Sequence, residues 1–226
     1  MATPRRLPQD APASTMTGLE ALLADVRACT LCAGNLPLGP RPVLQADVRA
    51  RILVAGQAPG RRVHASGIPF DDASGDRLRH WMGMERAAFH DPRQVAILPM
   101  GLCFPGSGRA GDLPPRPECA PKWRASLLQH LPQVALTLVI GRYALDWHLP
   151  GLATQGVTSA VQAWRSRFPR ILPLPHPSPR NNRWLKANPW FEHEVVPALR
   201  ERVQAVLSAQ HEDLSSPLRG DRDALP

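Results

Sequence analysis

Four short runs of consecutive apolar residues punctuate the chain: Ile52 to Ala55, Val95 to Leu98, Leu136 to Ile140 and Ile171 to Leu174. Each is too short for a helix and lies between Gly or Pro signals, so each predicts a β-strand. Strands apolar on both faces need a covering layer on either side. The intervening segments supply one, with helical spacing over Gly75 to Met82, Glu118 to His130 and Tyr143 to His148. Upstream, Thr17 and Glu20 have capping-box spacing, and Leu19, Leu22, Leu23 and Val26 share one helical face up to Cys29. Leu36 to Pro42 reads as a Pro- and Gly-rich connector. Near the end, Asn188 as N-cap and Pro189 at the first helical position open a last helix towards Leu207, with an irregularity expected at Pro197. Strands alternating with helices predict an α/β fold, a three-layer sandwich whose central four-stranded parallel sheet is flanked by helices. Residues 1–16 and 209–226 lack periodicity and are expected to be a disordered arm and tail around one domain, 17–208.

Composition narrows the class. At 226 residues with 43% hydrophobic content the chain buries a real core, and 27 Lys+Arg against 19 Asp+Glu leave a net charge of +8. Only Lys122 and Lys186 are lysines; the other 25 cations are Arg. Arginine suits bidentate phosphate contacts, and a skewed genomic base composition produces the same bias. No stretch approaches the ~20 apolar residues of a membrane span, and the N-terminus lacks the apolar core of a signal peptide. A cytoplasmic location is therefore expected, where cysteines are free thiols or metal ligands rather than disulfides.

Two segments follow strands and so belong at the ligand-binding edge of such a sheet. Gly56-Gln57-Ala58-Pro59-Gly60 follows the first strand, and His176-Pro177-Ser178-Pro179-Arg180-Asn181 follows the fourth. Glycine at both ends of the first lets backbone amides approach a ligand, although a plain tight turn has the same composition. His176 alone reads equally as a structural histidine, and Phe70 as core. From Trp147 to Phe191 there is no acid in 45 residues, while Arg165, Arg167, Arg170, Arg180, Arg183 and Lys186 fall inside. This predicts a positive field around His176, fitted to a phosphate backbone or simply solvated. Cys29 and Cys32 form C-x2-C, and Cys103 and Cys119 are separated by fifteen residues. Four thiolates hold a zinc ion or an iron–sulfur cluster, the wide second pair favouring the larger group; buried apolar cysteines are the alternative.

Taken in order, these motifs resemble the uracil-DNA glycosylase superfamily, most closely its iron–sulfur branch, family four. The resemblance spans about Leu22 to Leu207. It rests on the C-x2-C, the Gly56 to Gly60 loop, Gly67-Ile68-Pro69-Phe70, the Cys103 and Cys119 pair, and His176 to Ser178; the longer string to Asn181 is similar to the single-strand-selective branch. The resemblance implies a monomeric, monofunctional DNA-repair glycosylase that flips out a deaminated base, uracil above all, and hydrolyses its N-glycosidic bond. By the same resemblance, His176 donates to the base carbonyl and Phe70 stacks on the base. Gly56, Ala58, Pro59 and Gly60 lie against base and sugar, and Gln57 holds a water. Arg180 is the wedge that enters the duplex; Ser178, Asn181, Arg183 and Lys186 contact DNA. Cys29, Cys32, Cys103 and Cys119 would hold a structural [4Fe-4S] cluster, with zinc as the alternative.

Three positions depart from the branch. Gln57 replaces its Glu, Ala58 stands where another branch has a water-activating Asp, and Pro99 replaces a base-reading Asn. Asp71 and Asp72 are alternative carboxylates, or a solvated turn. These departures motivate a second reading, a non-catalytic module that binds damaged DNA.

Overall fold

In the computed structural model, residues 18–109 and 111–215 are described, with side chains up to residue 209. The element order is α1 (Gly18–Arg27), β1 (Ile52–Ala55), α2 (Arg61–Ser66), α3 (Ala73–Met82), α4 (Arg86–Phe89), β2 (Val95–Ile97), β3 (Ser107–Gly108), β4 (Gly111–Asp112), α5 (Cys119–Gln129), β5 (Leu136–Ile140), α6 (Gly141–His148), α7 (Pro150–Ala153), α8 (Gly156–Gln162), β6 (Ile171–Leu174), α9 (Asn182–Ala187) and α10 (Val196–Ser215). The four expected strands form one all-parallel sheet in the order β2-β1-β5-β6. Ile52 pairs with Val95 on one side and Leu136 on the other, and Thr137 pairs with Ile171. Pro173 is tolerated because β6 is an edge strand.

Alternation along β1 defines the layers. Ile52 and Val54 pack with Leu78, Trp81 and Met82 of α3 and with Leu199, Val203 and Val206 of α10. Leu53 points the other way, to Leu19, Leu23 and Val26 of α1 and Leu127 of α5. The three-layer sandwich is thus the expected one. Its β1 lies between β2 and β5, so the chain winds outwards in both directions from this point, and a crevice opens where strand order reverses.

Several elements differ from expectation. Helices α2, α4, α7, α8 and α9 and the β3-β4 hairpin were not legible, because four to seven residues are too few for a 3.6-residue period to stand out. Asn188 does not cap a helix: its amide donates to Trp184 O at 2.8 Å and its oxygen accepts from Trp190 Nε1 at 3.2 Å. The irregularity expected at Pro197 is a π turn over Phe191–Val195 that runs directly into α10, Val196 N–H donating to Phe191 O, so that the missing Pro197 N–H falls next to the register shift of the helical ladder. Helix α10 runs beyond Ser208 to Ser215. Thr17 and its capping role, the arm and the end of the tail lie outside the described residues.

Candidate active site

The loop after β1 is held from several directions. Met100 N–H donates to Gly56 O and Gly101 N–H to Gln57 O, both at 2.9 Å, and His64 N–H donates to Gly60 O at 2.8 Å. These bonds tie the loop to the segment after β2 and to the first turn of α2. The loop after β6 is fixed from within and from across the sheet. Asn181 Nδ2 donates to His176 O at 2.7 Å, and Ser178 Oγ accepts from Arg180 N–H at 3.2 Å. Arg77 reaches over from α3, donating to Ser178 O at 3.1 Å and to Asn182 Oδ1 at 2.7 Å.

Between the loops lies a cleft of about 670 Å3. Of the sequence candidates, Gly56, Gln57, Ala58, Pro59, Gly60, Phe70, His176, Ser178, Arg180 and Asn181 all line it. Arg183 and Lys186 do not; both are exposed on α9, which follows the His176 loop. The positive field is narrower than the sequence implied. Arg165, Arg167 and Arg170 precede β6 and so sit at the opposite end of that strand from His176, and Arg165 pairs with Glu194 at 3.0 Å. Arg62 joins the cleft wall instead.

His176 is chemically committed. Its Nδ1 accepts the Ser178 N–H at 3.1 Å, so a neutral ring carries its proton on Nε2. Burial holds the imidazole below its ordinary pKa, while Asp72 and Asp112 pull the other way. At neutral pH His176 is therefore an uncharged hydrogen-bond donor.

Phe70 has φ +54°, the one positive φ among the described non-glycine residues. Backbone strain of this kind costs on the order of 1–3 kcal/mol and is held by surrounding structure. Here the ring meets Phe89 edge-on at 6.1 Å between centroids and comes within 3.6 Å of where a Gly56 Cβ would lie. Its carbonyl faces Gly75, where a Cβ would collide with it. Gly75 N–H also donates to Asp72 Oδ1 at 2.9 Å, the N-cap of α3. The Phe70 ring is thus held in the cleft wall by a glycine contact and a helix cap together.

Gln57 is oriented by its amide. Its Nε2 donates to Leu113 O at 2.9 Å, against the hairpin, leaving Oε1 as an acceptor. The hairpin contributes what sequence reasoning missed. Asp112 lines the cleft, Asp72 faces it from the start of α3, and Arg180 packs against Gly111. No turn dipeptide marked Asp112, which lies in β4 opposite Ser107, and nothing local marked Arg77.

The four cysteines share a second, small pocket with Leu31, Leu36, Pro40, Pro42, Arg116 and Trp123. All four are free thiols. Leu102 N–H donates to Cys119 Sγ at 3.3 Å, the hydrogen bond a thiolate ligand needs. Burial pushes the Cys119 thiol up to about 11 and raises Cys103, the other cysteines adding to both. Among the described residues no group of three or more His, Cys, Asp or Glu side chains stands ready to hold a single metal ion. The donor set, four soft sulfurs on one apolar wall, nevertheless suits a thiolate-bound group.

A parallel sheet with a cleft at its carboxyl edge, lined by a neutral histidine donor and an aromatic ring, defines an α/β protein with a ligand-sized site at the switch point of its sheet. The match to known families is specific: the model of the uracil DNA glycosylase superfamily covers residues 44–200, more than half of the chain. The chain belongs to that superfamily, whose members are DNA glycosylases. The matched region includes both cleft loops, Phe70, Cys103 and Cys119, and begins after Cys29 and Cys32. Among the described residues no helix is long and apolar enough to cross a membrane.

Proposed function

We propose that the protein is a monofunctional base-excision glycosylase that takes a deaminated nucleotide, uracil first, out of the stack and hydrolyses its N-glycosidic bond, leaving an abasic site. The observation that carries this is His176. Breaking the bond places negative charge on the departing base, and a preorganised neutral donor in a desolvated site stabilises that charge best. Phe70 offers its ring to the flipped base beside Gly56, and the side-chain-free ends of the loop let base and sugar lie against backbone. Arg180 would fill the vacated stack, with Ser178 and Asn181 shaping its loop; Arg183 and Lys186 would meet flanking phosphates. No lysine lines the cleft among the described residues, so no side-chain amine is placed to form a Schiff base, which supports simple hydrolysis.

Cys29, Cys32, Cys103 and Cys119 would hold a [4Fe-4S] cluster, as in family four. When bound, it supplies a structural tie, since hydrolysis transfers no electrons. We place the enzyme in the cytoplasm as a monomer, in keeping with its four free thiols.

Incubation with single- and double-stranded oligonucleotides carrying uracil, hypoxanthine or xanthine, followed by hot alkali, is expected to yield strand breaks at the lesion. Their absence for every lesion, with tight salt-sensitive binding retained, would establish the non-catalytic module that Ala58 and Pro99 suggest. Brown protein containing iron supports the cluster, and colourless protein containing zinc replaces it.

A further inference from the structure

The hairpin between the second pair of cysteines carries a carboxylate that none of the motifs assigns. Asp112 closes β4 and lines the cleft. Ser107 Oγ donates to its Oδ1 at 2.8 Å, which orients the carboxylate and leaves Oδ2 without a hydrogen-bond partner among the described residues. A Cβ on Gly60 would lie 3.2 Å from Asp112 Oδ2 and 4.0 Å from Asp72 Oδ2, so both oxygens flank the bare backbone of the first loop. Asp112 also acts electrostatically on His176, across the cleft.

The other groups near this point are otherwise engaged. Ala58 has a methyl group, Gln57 is an amide that donates to Leu113 O, and Asp72 uses Oδ1 to cap α3. We propose that Asp112 is the general base of the hydrolysis, supplied by the inter-cysteine hairpin instead of by the loop after β1. The inference rests on the glycosylase reading above. Asp112 Oδ2 takes one proton from a water whose oxygen bonds to C1′ of the sugar. The bond from C1′ to the base nitrogen breaks and its electron pair leaves with the base, whose carbonyl oxygen accepts a hydrogen bond from His176 Nε2. The proton on Asp112 then returns to solvent, and the base anion is protonated there. Ser107 is a positioning residue that acts through Asp112.

The test is single-turnover cleavage by the full chain of a single-stranded oligonucleotide with one uracil, or with hypoxanthine if that is cleaved faster. Wild type is compared with Asp112→Ala and Asp112→Asn, with and without added formate. Binding is read in parallel on the same oligonucleotide carrying 2′-fluoro-deoxyuridine, whose glycosidic bond resists cleavage. A general base predicts a rate lower by about a hundredfold or more in both variants with binding unchanged, and partial rescue by formate of Asp112→Ala alone. Two outcomes overturn the proposal: Asp112→Ala keeping more than about a third of the wild-type rate, or a rate loss that follows weakened binding and ignores formate. If wild type itself yields no product from any lesion, the glycosylase reading fails, and the role of Asp112 falls with it.

Discussion

The cleft and the cysteine pocket share the segment from Gly101 to Cys119, and they are built in opposite ways. The cleft is open, and its polar groups are aimed by hydrogen bonds: Ser178 N–H on His176, Leu113 O on Gln57, Ser107 Oγ on Asp112. The cysteine pocket is small and walled by leucine, proline and tryptophan, and burial raises the Cys103 and Cys119 thiols. One region presents charges and donors to an open cleft; the other gathers four thiols along an apolar wall. The hairpin joins the two, because Asp112 lies on the chain between Cys103 and Cys119.

Substitutions sharpen this contrast. His176→Ala should lower the single-turnover rate by about a hundred- to a thousandfold, as loss of a donor to developing charge does, with the melting temperature unchanged. Cys103→Ser should do the reverse first: loss of colour and a melting temperature lower by roughly 10 °C, since losing about 3 kcal/mol moves a domain of this size by 2–4 °C per kcal/mol, with activity falling only as the hairpin loosens. Equal loss of stability in both variants would erase the distinction drawn here.

Acid should act on the scaffold behind the pocket. His148 on α6 accepts from Arg124 of α5, the helix that begins at Cys119, and burial with the neighbouring guanidinium holds its pKa down to about 4. The unfolded chain takes up this proton below about 6.5 and the folded one does not. Stability is therefore fully present above pH 6.5 and declines as pH falls towards 4, by about 3 kcal/mol in total. His148→Gln, which keeps an acceptor for Arg124, should flatten that dependence in denaturant titrations at pH 7 and pH 4.5. An unchanged slope would remove His148 from the account.

Smaller effects test how the cleft is aimed. Gly75→Ala forces the new Cβ against the Phe70 carbonyl and should cost about 1–3 kcal/mol, the usual range for overpacking, with base binding weakened. Gln57→Glu places at this position a carboxylate that would stand against Leu113 O and lose a donor. A change of about 1 kcal/mol or less in stability, and no gain in rate, is expected. A clear rate gain would show that the first loop, not the hairpin, is the natural place for the base.

The strands, their parallel arrangement and the two cleft loops were legible because each depends on local pattern: consecutive apolar residues bounded by breakers, and motifs that follow strand ends. The ordered motifs pointed to the superfamily for the same reason. The helices of four to seven residues carry too little pattern to be read.

What sequence alone determined, then, was a parallel α/β sandwich with His176 and the Gly56 to Gly60 loop at one edge. Tertiary structure alone decided the rest. Arg165, Arg167 and Arg170 lie near His176 in sequence but at the far end of β6, because a strand separates its two ends in space. Asp112 and Arg77 are remote from both motifs in sequence and meet them only through a hairpin and a helix folded across the sheet. Charge counts and motif spacing carry no information about such approaches, since long-range contacts are set by how layers pack, and here that packing brings a carboxylate to a loop that has none.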